Sequence, residues 1–175
     1  MGMTVLIAVV VVIVAALAFA STRPDSFRVE RSTSIAAPAQ TVFDAINDFH
    51  RWADWSPWEN IDPQLKRSYS GAPRGVGTVY DWTGNSKVGT GRMEITSATA
   101  PSTIVIRLDF LKPFEAHNTA EFILAPAGDG TKVTWAMYGP SPFMFRLMGI
   151  FMNMDAMIGK DFEAGLANLK ALAEK

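Results

Sequence analysis

Ile104-Val105-Ile106-Arg107-Leu108-Asp109-Phe110 alternates without a break: Ile104, Ile106, Leu108 and Phe110 fall on one face, Val105, Arg107 and Asp109 on the other. A period of two marks a strand with one buried side. The same rhythm extends outward in both directions. Segments near 66–71, 77–83, 87–98, 103–111, 117–125 and 131–138 are separated by Gly, Pro, Asn or Asp, which punctuate strands as turns. Ala127-Gly128-Asp129-Gly130 is a strong hairpin signal. Connections this short favour an antiparallel meander over βαβ units, which need long crossovers.

The flanks of this sheet read differently. Phe27 to Ile35 alternates as a further strand, although Arg31 shares the side of Phe27, Val29, Thr33 and Ile35. Pro38 suits a first helical turn, and Val42, Phe43, Ile46 and Phe49 follow at helical spacing. A second short helical piece, from His50 to about Trp55, ends near Ser56-Pro57, because Pro57 biases Ser56 toward extended geometry. After Pro140 and Pro142, Phe143 to the end is helical, with Met154, Ile158, Phe162, Leu166 and Leu169 in one stripe. Gly149, Gly159 and Gly165 fall in this region, each costing about 1 kcal/mol relative to Ala. A break is expected near Gly149–Asp155. The fold class is α+β: a bent antiparallel sheet of about seven strands around a long C-terminal helix.

Charge is unevenly distributed over the 175 residues, which carry sixteen Lys+Arg and seventeen Asp+Glu. Met1 through Thr22 has none of these, and Val5 to Ala20 is an unbroken apolar run. As a helix that run is about 24 Å long, and Met1 to Thr22 about 33 Å, against a hydrocarbon core of about 30 Å. Residues 1–22 therefore form an expected transmembrane anchor, 23–26 a linker and 27–175 one domain. Ala18-Phe19-Ala20 before Ser21 also has the form of a signal cleavage site. Against cleavage stand the missing Lys and Arg ahead of the run and its length. Arg23, Arg28 and Arg31 follow the segment, so the positive-inside rule puts the domain on the cytoplasmic side of a single-pass cell-membrane protein.

Other classes are excluded by composition. No cysteine is present, which removes disulfides, thiol nucleophiles and cysteine zinc sites. A pI near 6.1 without a basic run argues against nucleic acid. His50 and His117 lie far apart with no HxH or HxxxH spacing, so no metal site is expected. Gly75-x-Gly77 and Gly89-x-Gly91 sit between strands, not before a helix that could receive a phosphate. No GxSxG elbow occurs.

Several strings taken in order resemble the START-like helix-grip superfamily, in particular its SRPBCC group of bacterial polyketide cyclase/dehydrase-like proteins. They are Ser34-Ile35-Ala36-Ala37-Pro38, Val42-Phe43, Asn47 through Trp58, Gly75 through Trp82, Gly89-Thr90-Gly91-Arg92-Met93, Thr131 through Trp135, and Phe162-Glu163-Ala164-Gly165-Leu166. The resemblance covers about residues 27–172 and implies a helix-grip fold whose cavity holds lipids, sterols, polyketides or other apolar molecules. Members similar to this chain often carry one N-terminal membrane helix. The superfamily shares no single catalytic set, so fold alone implies no reaction.

The expected cavity is lined by Trp52, Trp55, Trp82, Met93, Glu94, Trp135, Met137, Met144, Met148, Met152 and Phe162. Trp52, Trp55 and Trp58 recur every three residues, either as a plug between the short helices and the sheet or as an aromatic rim. Six of nine methionines lie between Met137 and Met157. Methionine fills irregular cores and also tolerates varied ligands, and Met144, Met148 and Met152 are expected at a ligand entrance. Glu94 and Arg92, like Asp109 and Arg107, share strand faces opposite apolar neighbours. They form either a solvated outer face or, pointing inward, a polar end for a ligand or an acid–base pair. No catalytic residue, cofactor or metal is assigned. The favoured function is a membrane-tethered binding module for an apolar small molecule or lipid. The alternative is a cyclase or dehydratase-like enzyme using a carboxylate such as Glu94 or Asp109, and a third is a domain filled only by its own side chains.

Overall fold

A computed structural model describes residues 2–175; Met1, the first residue of the expected anchor, lies outside the described residues. Helix α1 (Gly2–Thr22) leads into β1 (Ser26–Ile35) and α2 (Ala39–Ile46). Two 3₁₀ turns follow, Phe49–Asp54 and Pro57–Asn60. Strands β2 (Lys66–Gly71), β3 (Thr78–Thr83), β4 (Thr90–Thr99), β5 (Thr103–Lys112), β6 (Ala116–Ala127) and β7 (Gly130–Pro140) complete the sheet, and α3 (Phe143–Met148) and α4 (Met154–Ala173) close the chain. The seven strands form one antiparallel sheet in the order β1-β7-β6-β5-β4-β3-β2, with α4 and α2 packed on its inner side.

The apolar members of the alternating strands face α4. Ile104 and Ile106 of β5 are wholly buried, as are Ile95 of β4, Phe122 of β6 and Val133 of β7. On the outer side the polar members pair, across strands in Arg92 with Asp81 and Arg107 with Glu94, and along one strand in Arg107 with Asp109 and Arg28 with Glu30. Such exposed pairs set register more than they add stability.

The break in the C-terminal helix falls at 149–153, between α3 and α4. Asn153 caps α4, its side chain accepting from the Ala156 backbone N–H at 3.0 Å, as a capping asparagine does. The stripe of α4 divides along its length. Phe162, Leu166 and Leu169 are buried, whereas Met154 and Ile158 are only half so. Gly165 is required by packing, because a Cβ there would lie 2.7 Å from the Trp135 ring and 3.1 Å from Pro57.

Helix α1 is long and apolar enough to cross a membrane. It touches the domain only near its end: Ala20 is buried and Ala16 half-buried, while the rest of its described residues are exposed.

Candidate functional site

The space between sheet and α4 is occupied by aromatic rings centred on Trp135. Its indole stacks on Phe162, with centroids 4.2 Å apart and planes 6° from parallel, and on Phe122 at 4.9 Å. Trp52, Trp55 and Trp58 meet it edge-on at 6.4, 5.6 and 5.5 Å. The three-residue spacing of these tryptophans therefore serves a plug, delivered by the two 3₁₀ turns. Pro57 at the start of the second turn fixes that loop.

Their polar ends are not equally satisfied. Trp52 Nε1 donates to Ile46 O at 2.9 Å, Trp55 Nε1 to Ala45 O at 3.3 Å and Trp82 Nε1 to Val88 O at 3.3 Å. Trp135, 2% exposed, has no acceptor within reach of its Nε1–H. A buried donor left without a partner costs about 1–3 kcal/mol.

Met93 and Met137, also expected at the cavity, are buried on the inner face beside this cluster. Glu94, expected with them, instead lies on the outer face, ion-paired with Arg107. Strand alternation sends it opposite Met93 and Ile95, and Asp109 shares that outer face with Arg107 and His117. Met144, Met148 and Met152 do not reach the interior. They are exposed on and just after α3, because α3 packs against α1 and not on the sheet.

A buried polar group outside the expected site lies beside the plug. Glu59, 6% exposed, accepts from Tyr80 Oη at 2.7 Å through Oε1 and from Arg67 Nε at 2.5 Å through Oε2. Burial, then the Glu59 hydrogen bond and charge, push the Tyr80 phenol well above its usual range. Burial also raises Tyr69, which stacks on Tyr80 at 5.1 Å. Tyr80 on the inward side of β3 was the available signal, since a buried phenol needs a partner.

Arg31, out of place among the apolar residues of β1, clasps the first half of α4. It donates from Nε to Glu163 at 2.8 Å, and from Nη2 to Asp155 Oδ2 at 2.9 Å and to the Asp155 carbonyl at 3.2 Å. These hydrogen bonds raise the guanidinium pKa and hold the Asp155 carboxyl below the usual carboxylate range. Gly159 faces the same guanidinium and leaves room for it.

His117 Nδ1 lies 2.8 Å from Asp109 and Nε2 3.2 Å from Glu115, which raises its pKa. Among the described residues no group of three or more His, Asp or Glu converges as a metal site would. A surface hollow of about 510 Å³ includes Asp44, Asp48, Arg51 and Arg74, and another of about 280 Å³ includes Ser34 and Lys170. Neither is lined by the interior tryptophans.

Solved structures share this fold at low identity. Ginseng major latex-like protein 151 from Panax ginseng is 10% identical, with TM-score 0.62 over 87% of this chain and 100% of its own. A protein from Chromobacterium violaceum, CV1439, is 16% identical, with TM-score 0.60 over 87% and 99%. The di-domain ARO/CYC BexL from the BE-7585A biosynthetic pathway is 15% identical, with TM-score 0.64 over 91% of this chain and 53% of its own. No curated protein matches the chain. The family model described as polyketide cyclase / dehydrase and lipid transport matches residues 26–174. With that span and this helix-grip architecture, the chain belongs to the polyketide cyclase/dehydrase and lipid transport family.

Proposed function

We propose that the chain is a membrane-tethered binding module that holds one apolar small molecule or lipid between the sheet and α4. The observation that carries this reading is Trp135: a buried indole N–H without an acceptor, at the centre of an aromatic interior. A ligand with an apolar body and one carbonyl or hydroxyl oxygen would satisfy both demands. Displacement of the first turns of α4, where Asp155 is ion-paired with Arg31, would admit it. The 149–153 break supplies the hinge, and α1 keeps the domain within reach of bilayer lipids. Met93, Met137, Trp52, Trp55, Trp82 and Phe162 would line the opened space, with Met144, Met148 and Met152 at its entrance.

Native mass spectrometry of the full chain released from nanodiscs tests this. The reading expects a one-to-one apolar adduct that is depleted in Trp135→Phe, which keeps a ring but removes the donor. A bare chain mass, or equal adduct in both proteins, would contradict it.

Glu59 and Tyr80 favour a second reading, a cyclase or dehydratase-like enzyme. A phenol held protonated beside a buried carboxylate is a proton-transfer pair on the inner face, a position that Glu94 and Asp109 do not have.

A further inference from the structure

Among the described residues, eleven large apolar side chains outside α1 are exposed, and eight of them fall in just two segments, 111–114 and 143–157. The sheet register brings those segments to one end of the domain. Ser26 opposes Pro140, so β1 begins where β7 ends. Phe110 opposes Ala116, so the β5–β6 turn with Leu111 and Phe114 projects from that same end. It lies two to three strands from β1, about 10–14 Å at roughly 4.8 Å per strand. Single exposed apolar residues are ordinary; a cluster at one end marks an interaction surface.

Helix α1 leaves the domain at this end. α3 packs against it, and the linker that follows α1 is tied to the chain around the start of α3: Arg146 Nη1 donates to Arg23 O at 3.0 Å, and Ser141 N to Asp25 O at 2.6 Å. The α1 side chains that lose exposure are Ala16 and Ala20, so α3 lies beside the last two turns. That spans about 9 Å back from Thr22 at roughly 1.5 Å per residue, the depth at which interfacial helices rest in a bilayer. The Arg23 guanidinium lies 4.9 Å from the centre of the Phe19 ring at the close of the apolar run, as a cation at the headgroup level does.

We infer that this end of the domain is itself a bilayer-docking surface, with α3, the 149–153 segment and the β5–β6 turn seated in the interface beside α1. The occupant is lipid, since the patch is continuous with a helix of membrane-spanning length. Phe151, 79% exposed, and Phe114, 63% exposed, are its most projecting aromatic side chains. The inference rests on α1 being a membrane anchor.

The chain has no cysteine, so single substitutions can each carry an environment-sensitive fluorophore. Full chains with Phe151→Cys, Phe114→Cys, Ile123→Cys, Val76→Cys or Val10→Cys would be reconstituted in nanodiscs of phosphatidylcholine with brominated acyl chains. Expected are blue-shifted emission and bromine quenching at 10, 151 and 114, with neither at 76 and 123. Quenching at 10 without quenching at 151 and 114 would overturn the docking and leave the anchor standing. A blue shift at 151 without bromine quenching would mean that protein covers the patch, which also overturns it. No quenching at 10 would remove the anchor and the docking together.

Discussion

The two halves of α4 rest on the same sheet by different means. From Phe162 onward the helix is packed into the tryptophan plug. Asn168 Nδ2 donates to Trp55 O at 3.1 Å and Lys170 Nζ to Ser34 O at 2.9 Å. From Met154 to Gly159 its ion pair is Asp155 with Arg31, which water reaches from outside, and the second partner of Arg31, Glu163, sits at the edge of the packed half. Close-packed contacts resist small displacements, whereas solvent-exposed ion pairs contribute little and exchange readily. One helix thereby combines a closely packed half with a half held by an exposed ion pair, and the latter follows α3 in the chain after the 149–153 break.

The largest expected effect lies in the closely packed half. Phe162→Ala should destabilise the domain by about 3–5 kcal/mol, read by chemical denaturation, while Met157→Ala, at an exposed position of the same helix, should stay within about 0.5 kcal/mol. Similar losses at both would erase the distinction. Next are the glycines. Gly165→Ala presses a methyl into the Trp135 ring and should cost about 1–3 kcal/mol. Gly159→Ala meets only the flexible end of Arg31 and regains about 1 kcal/mol of helix propensity, so its thermal midpoint should fall less.

Asp155→Asn is the intermediate case. Amide exchange should accelerate in 154–160 and stay unchanged in 165–173. The same contact predicts a pH dependence. Asp155 is depressed in the folded state, so its stabilisation is complete above the ordinary aspartate pKa near 3.9. It is lost as pH falls through the lowered folded value. Protection factors in 154–160 should therefore fall on acidification below about pH 4 in the parent chain and less so in Asp155→Asn. The smallest effect concerns His117, whose raised pKa means a contribution present below about pH 6.5 and lost as pH rises through the folded value. NMR titration should give a midpoint above 6.5 that drops in Asp109→Asn.

The strands were legible because each alternates and ends in turn residues, and the helix break was legible because Gly149 and Asn153 frame it. The direction of the sheet's curvature was not. Alternation separates Met93 from Glu94 without saying which side is concave; that follows from α4 packing on the apolar side. Arg31 read as an anomaly because its partners Asp155 and Glu163 are over a hundred residues away. Glu59 gave no local signal, since it lies in a short 3₁₀ turn and meets Tyr80 and Arg67 only after folding.

Photo-crosslinking with a diazirine-bearing fatty acid in membranes containing the full chain tests the central claim most directly. If the interior admits an apolar molecule, adducts will map to peptides carrying Trp135 and Phe162 as well as to α1, and an excess of unlabelled fatty acid will suppress the interior adducts first. Adducts confined to α1 and the exposed surface, with the Trp135 and Phe162 peptides unlabelled, would contradict it and leave a domain whose interior is filled by its own side chains.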